Sequence, residues 1–113
     1  MPLHPVIIIT KDNMFIDYQD IDKIMNNYEL CAPICGYDIN MVKFNSNVII
    51  VPNNDDDDDI TMGVKFYSDN NLEYHNTIAS EIYKGNMYGD VIIVPNNDDD
   101  DIETLLNHFK IYM

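Results

Sequence analysis

Apolar residues fall into short unbroken runs along some stretches of the chain and into helical spacing along others. Val6-Ile7-Ile8-Ile9 is an uninterrupted β-branched run within His4 to Thr10, the pattern of a strand buried on both faces. Asp12-Asn13 supplies a turn, and Met14 to Tyr18 a second short strand. Behind Asp20, residues Ile21, Ile24, Met25 and Tyr28 recur at helical spacing, which predicts a capped helix to about Asn27. Pro33 and Gly36 mark Leu30 to Tyr37 as a loop or irregular edge. Strands are predicted over Asp38 to Phe44 and over Val48 to Val51, a second wholly apolar run that Pro52 stops. Gly63 to Tyr67 reads as a strand, Ser68-Asp69-Asn70-Asn71 as a turn, and Leu72 to His75 as the returning strand. Asp38 to Val51 and Gly63 to His75 thus both read as hairpins.

Asn76 is a good cap for a short helix with Ile78, Ala79, Ile82 and Tyr83 on its apolar face. Gly85 to Gly89 is a loop, and Val91 to Val94 a third apolar strand ended by Pro95. The last element, Ile102 to Ile111, reads as a helix with Ile102, Leu105, Leu106 and Phe109 on one face, capped by Asp101 or its neighbours. The sum is an α+β domain: one mixed, largely antiparallel sheet with two to three short helices packed on it. The chain has 113 residues, 46% of them hydrophobic, which suits a single domain over residues 1–113 with one real core.

The most specific feature is a repeat. Val48 to Ile60 reads VIIVPNNDDDDDI and Val91 to Ile102 reads VIIVPNNDDDDI, displaced by 43 residues. The flanks do not repeat, and two copies are too few for a solenoid. Short segmental duplication in an AT-rich gene explains the repeat most simply; the abundance of Ile, Asn, Asp and Tyr, with neither Arg nor Trp, fits such a gene. Each copy ends in an Asp-rich loop, residues 53–59 and 96–101.

Charge narrows the function classes. The formal net charge is -14, and all 6 basic residues are lysines scattered singly. No basic stripe exists for a phosphate backbone, so direct nucleic-acid binding is not expected. The N-terminal apolar stretch Val6 to Ile9 is too short for a membrane span and lacks a basic n-region, which leads to the expectation of a soluble, cytoplasmic protein without membrane contact. Cys31 and Cys35 are too few for a disulfide scaffold. With His4, His75 and His108 far apart, no four-ligand zinc pattern and no nucleophile–base motif is present. No cofactor, no metal site and no enzymatic activity are expected.

The carboxylates Asp55, Asp56, Asp57, Asp58, Asp59, Asp98, Asp99, Asp100 and Asp101 are the candidate partner-binding residues. Consecutive carboxylates on an extended segment point to alternate sides, so they do not converge on one cation, and the EF-hand spacing is absent. Set about 3.3 Å apart, they approach the per-strand charge spacing of DNA, which is about 3.4 Å. That suggests a DNA mimic that occupies the groove of a basic or nucleic-acid-binding host protein. The bland alternative is a solvated loop that keeps the protein soluble. Two further readings are a cation-binding structural or assembly module, dimeric through an exposed strand edge, and a small-ligand-binding domain with a pocket near Tyr74, His75 and Tyr88.

Leu72-Glu73-Tyr74-His75-Asn76-Thr77-Ile78-Ala79-Ser80-Glu81-Ile82-Tyr83, followed by Tyr88-Gly89-Asp90-Val91-Ile92-Ile93-Val94, resembles the C-terminal half of a widespread family of small phage and plasmid proteins known only as a domain of unknown function. Its pattern is L-x-x-N-x-x-A opening a short helix, then G-D and a hydrophobic strand. Upstream, the segment from Asp20 and Cys35-Gly36-Tyr37-Asp38-Ile39 stand where the family has a helix and a strand, with Cys35 in place of a glycine. The resemblance spans about Asp20 to Glu103 and implies a compact α+β accessory protein of a virus or mobile element. It carries over Asn76 and Gly89 as structural positions and no catalytic residue.

Overall fold

The computed structural model describes residues 3–19, 29–30, 39–40, 42–43, 47–51, 59–69, 71–96 and 101–113. The predicted helix behind Asp20 and both cysteines, Cys31 and Cys35, lie outside them. Eight strands are described: β1 (His4–Ile9), β2 (Met14–Gln19), β3 (Glu29–Leu30), β4 (Ile39–Asn40), β5 (Val42–Lys43), β6 (Asn47–Val51), β7 (Ile60–Ser68) and β8 (Val91–Pro95). Helix α1 (Thr77–Tyr83) lies between β7 and β8. Helix α2 (Ile102–Phe109) follows β8 and ends in a 3-10 turn, Lys110–Tyr112.

The main sheet runs β2-β1-β8-β7-β5, with β6 also paired to β7; β3 and β4 form a separate two-stranded pair. Every strand pair among the described residues is antiparallel. The protein is therefore α+β. Its central strands explain the unbroken apolar runs. Side chains alternate between faces along a strand, so Ile7 and Ile9 of β1 join Val91 and Ile93 of β8 and Met62, Val64 and Phe66 of β7 on one face. Both helices seal that face through Ile78, Ala79 and Ile82 of α1 and Ile102, Leu105 and Phe109 of α2. Val6, Ile8, Tyr67, Ile92 and Val94 form a second cluster on the opposite face, also buried.

Four sequence expectations need correction. Leu72 to His75 is not a returning strand. Asp69 Oδ1 accepts from the Asn71 N–H (3.1 Å) and Asn71 Oδ1 from the Glu73 N–H (3.0 Å), so side chains capture the donors that a ladder would use. His75 alone makes a bridge, to Tyr88. Among the described residues the hairpin expected over Asp38 to Val51 is not seen either: β5 and β6 both pair with β7, along the same side of it, and β4 pairs with β3. The second apolar run is not buried like the first. β6 lies at the margin of the sheet, with Val48 and Ile50 exposed and Val51 buried. The last helix stops being α-helical at Phe109 and tightens into the 3-10 turn.

Candidate functional site

The two copies of the repeat flank β7. Both β6 and β8 are antiparallel to β7, so they run in the same direction, but β8 ends opposite Val64, level with the start of β6, and β6 ends opposite Ile60. Val51 lies opposite Ile60 and Val94 opposite Lys65, a displacement of five positions along β7, roughly 17 Å at the usual rise. In the sequence each strand is followed by an Asp-rich stretch. Of the nine predicted carboxylates, Asp59 and Asp101 are described, and both are exposed. Asp55, Asp56, Asp57, Asp58, Asp98, Asp99 and Asp100 lie outside the described residues.

Asp101 caps α2. Its Oδ1 accepts from the Thr104 N–H (3.2 Å) and its Oδ2 from the Thr104 hydroxyl (2.7 Å). These bonds favour the charged form and hold the carboxyl below its ordinary range. Among the described residues no three metal-ligating side chains gather in one place.

The opposite end of the sheet holds a second polar cluster, built around Asn76. This side chain is fully buried. Its Oδ1 accepts from the Ala79 N–H (3.0 Å), and its Nδ2 donates to the carbonyls of Ile9 (3.0 Å) and Gly89 (2.8 Å). One residue therefore ties the end of β1, the start of α1 and the turn into β8. Gly89 sits at φ 76°, and a Cβ there would stand 1.7 Å from Asp69 Oδ1; the site demands glycine. The two positions carried over by resemblance are thus bonded to each other.

Asp69 and Asp90 face each other where β7 and β8 begin to part. Asp69 Oδ1 accepts from the Asp90 N–H (3.1 Å), and the Tyr74 hydroxyl donates to Asp90 Oδ1. Burial raises the Asp69 pKa above its ordinary value, and the nearby Asp90 charge adds to the rise; hydrogen bonds from Asn71 and Asp90 oppose it. Sequence reading missed this pair. The signal was the β7–β8 register, which sets Ser68 against Val91 and so Asp69 beside Asp90.

His75 packs edge-on against Tyr88 at 5.4 Å, and its Nε2 lies 3.1 Å from the Ser80 hydroxyl. That oxygen also accepts from the Met87 N–H (2.8 Å), which commits it to holding the loop after α1. A shallow groove of about 290 Å³ beside it is lined by His75, Thr77, Ser80, Glu81, Lys84 and Asn86. Of Tyr74, His75 and Tyr88, around which a pocket is expected, His75 alone lines this groove, and Asn76 is a structural tie.

No family model, no curated protein and no solved structure matches the chain. Fold and charge together define the class: an antiparallel α+β protein in which two strands of like sequence run in the same direction beside β7, each followed in sequence by an Asp-rich stretch. No helix is long and apolar enough to cross a membrane among the described residues.

Proposed function

We propose that this is a non-enzymatic accessory protein of a virus or mobile element that acts in the host cytoplasm by binding a basic, nucleic-acid-binding host protein. Its Asp-rich connections stand in for phosphates and keep nucleic acid out of the partner's groove. The observation that carries the reading is topological: β6 and β8 run in the same direction beside β7, and in the sequence each is followed by an Asp-rich stretch. A concentrated field of one sign attracts a basic surface and speeds encounter with it. The viral or mobile-element origin rests on the resemblance of the Leu72 to Val94 region to small phage and plasmid proteins.

The test is capture from host lysate by the parent and by a variant with Asp55 to Asp59 and Asp98 to Asp100 changed to Asn. Asp101 is kept because it caps α2. The expected partner binds nucleic acid, is held by the parent only, leaves steeply with added salt, and is displaced by duplex DNA. Equal retention by both proteins would rule the reading out.

A further inference from the structure

We propose that the β6 edge is the docking surface for this partner, and that it takes an extended segment with apolar residues at alternate positions and Lys or Arg at one flank. This rests on the binding function proposed above and names the chemistry that the partner presents.

Among the described residues β6 pairs with β7 alone, so its outer side offers backbone donors and acceptors to another strand. The strand is apolar on both faces. Val48 and Ile50 are 66% and 58% exposed. On the helix side Ile49, Ile82, Phe109 and Tyr112, with Lys84 and His108, line a groove of about 240 Å³. Edges are usually protected by a charge, a proline or a bend. The opposite edge strand, β2, carries Asp17, whereas the NVIIV sequence of β6 has neither charge nor proline. Its four β-branched residues, Val48 to Val51, have high β-propensity and are also of the type that pairs with copies of itself.

Charge decides between a second copy and a different partner. Exposed Asp59 adjoins Ile60, which lies opposite Val51 at the end of β6. Asp55 to Asp59 make up five of the eight residues between the two strands in sequence. A second copy would bring the same run of charge and a further net -14, which repels. Charges placed beside an apolar strand act as gatekeepers against self-association. The same charges attract a strand with a basic flank. Main-chain pairing then supplies affinity, and alternate side chains over Val48 and Ile50 supply selectivity.

The probes are two synthetic peptides, Thr-Val-Thr-Val-Thr carrying a short lysine tail at its N-terminus or its C-terminus, to cover both strand directions, with glutamate-tailed versions as controls. Fluorescence anisotropy should show binding of one lysine peptide and neither glutamate peptide. Affinity should fall tenfold or more in the double variant Val48→Lys with Ile50→Lys. Backbone amide shifts in the parent on titration should concentrate at Asn47–Val51, a readout that stands even where the double variant folds poorly. Sedimentation should show a monomeric parent. Absence of binding by both lysine peptides, equal binding by the double variant, amide shifts elsewhere, or a parent dimer abolished by the double variant each overturns the proposal. The two readings fail separately. A lysate partner kept by the double variant and lost by the Asn variant removes the edge and leaves the acidic field. The reverse removes the acidic field and leaves the edge.

Discussion

Asn76 is the residue on which most of the local structure converges, because one buried amide satisfies three backbone groups from three elements. Asn76→Ala leaves the carbonyls of Ile9 and Gly89 and the N–H of Ala79 without that partner. Each buried unsatisfied group costs about 1–3 kcal/mol, so chemical denaturation should show a loss of about 3 kcal/mol or more. A loss below about 1 kcal/mol would mean that water replaces the amide. Asp69 has the opposite sign. Its carboxylate is half-buried beside Asp90, and its pKa is raised, so the charged form opposes folding at neutral pH. Asp69→Asn keeps an oxygen for the Asn71 and Asp90 N–H groups while removing the charge. Its melting temperature at pH 7 should equal or exceed the parent's, and the difference should shrink as pH falls and Asp69 itself takes up a proton. A marked loss at pH 7 would show that the charge, not the oxygen, secures the turn.

At the scale of elements, the repeat isolates context from sequence. VIIV in β8 is buried on both faces, and VIIV in β6 is half exposed. Displacement by an odd number of positions also turns corresponding residues to opposite faces: Ile93 lies opposite Phe66, on the helix side, and Ile50 opposite Thr61, on the other. The repeat is thus one of sequence and not of environment. Ile93→Ala should cost about 2–5 kcal/mol, as buried Ile truncations do, and Ile50→Ala less than about 1 kcal/mol. Equal losses in paired denaturation curves would place β6 inside a covered sheet. The same comparison shows how far the sequence could be read. β1, β2, β8, α1 and α2 were legible because run length, spacing and the caps Asn76 and Asp101 are local signals. Strand order was not. Whether an apolar run is central or marginal depends on which strands flank it, and that is set by pairings outside the run, such as Ile7 with Ile93. Leu72 to His75 misled for a different, local reason: the turn signal suggested a returning strand, but Asp69 and Asn71 accept the backbone N–H groups two residues on and hold the chain in turns. At the candidate site, the charge was legible. The shared direction of the two strands that precede the Asp-rich stretches depends on the pairing of both with β7.

For the whole molecule, a net charge of -14 on 113 residues makes the compact state repel itself at neutral pH, while Asp69 and Asp101 fix how stability responds to acid. Asp69 titrates above its ordinary value in the folded state. The unfolded chain therefore binds fewer protons than the folded one between the two values, and stability rises as pH falls through the folded pKa. Partial neutralisation of the acidic surface acts in the same direction. Asp101 has a folded pKa below its ordinary value of 3.8. Its contribution is fully present above that value and is lost as pH falls through the lowered one, when the cap of α2 loses its charge. The melting temperature should therefore climb from pH 7 into the mildly acidic range, pass a maximum, and decline below about pH 4. Added sodium chloride should raise it most at pH 7 and least near the maximum, since screening replaces what protonation has already removed. The variant with Asp55 to Asp59 and Asp98 to Asp100 changed to Asn should start higher at pH 7, respond less to salt, and keep the acid-side decline because it retains Asp101. A parent melt that falls steadily from pH 7 downward would mean that the acidic connections are compensated within the fold and are not an open field available to a partner.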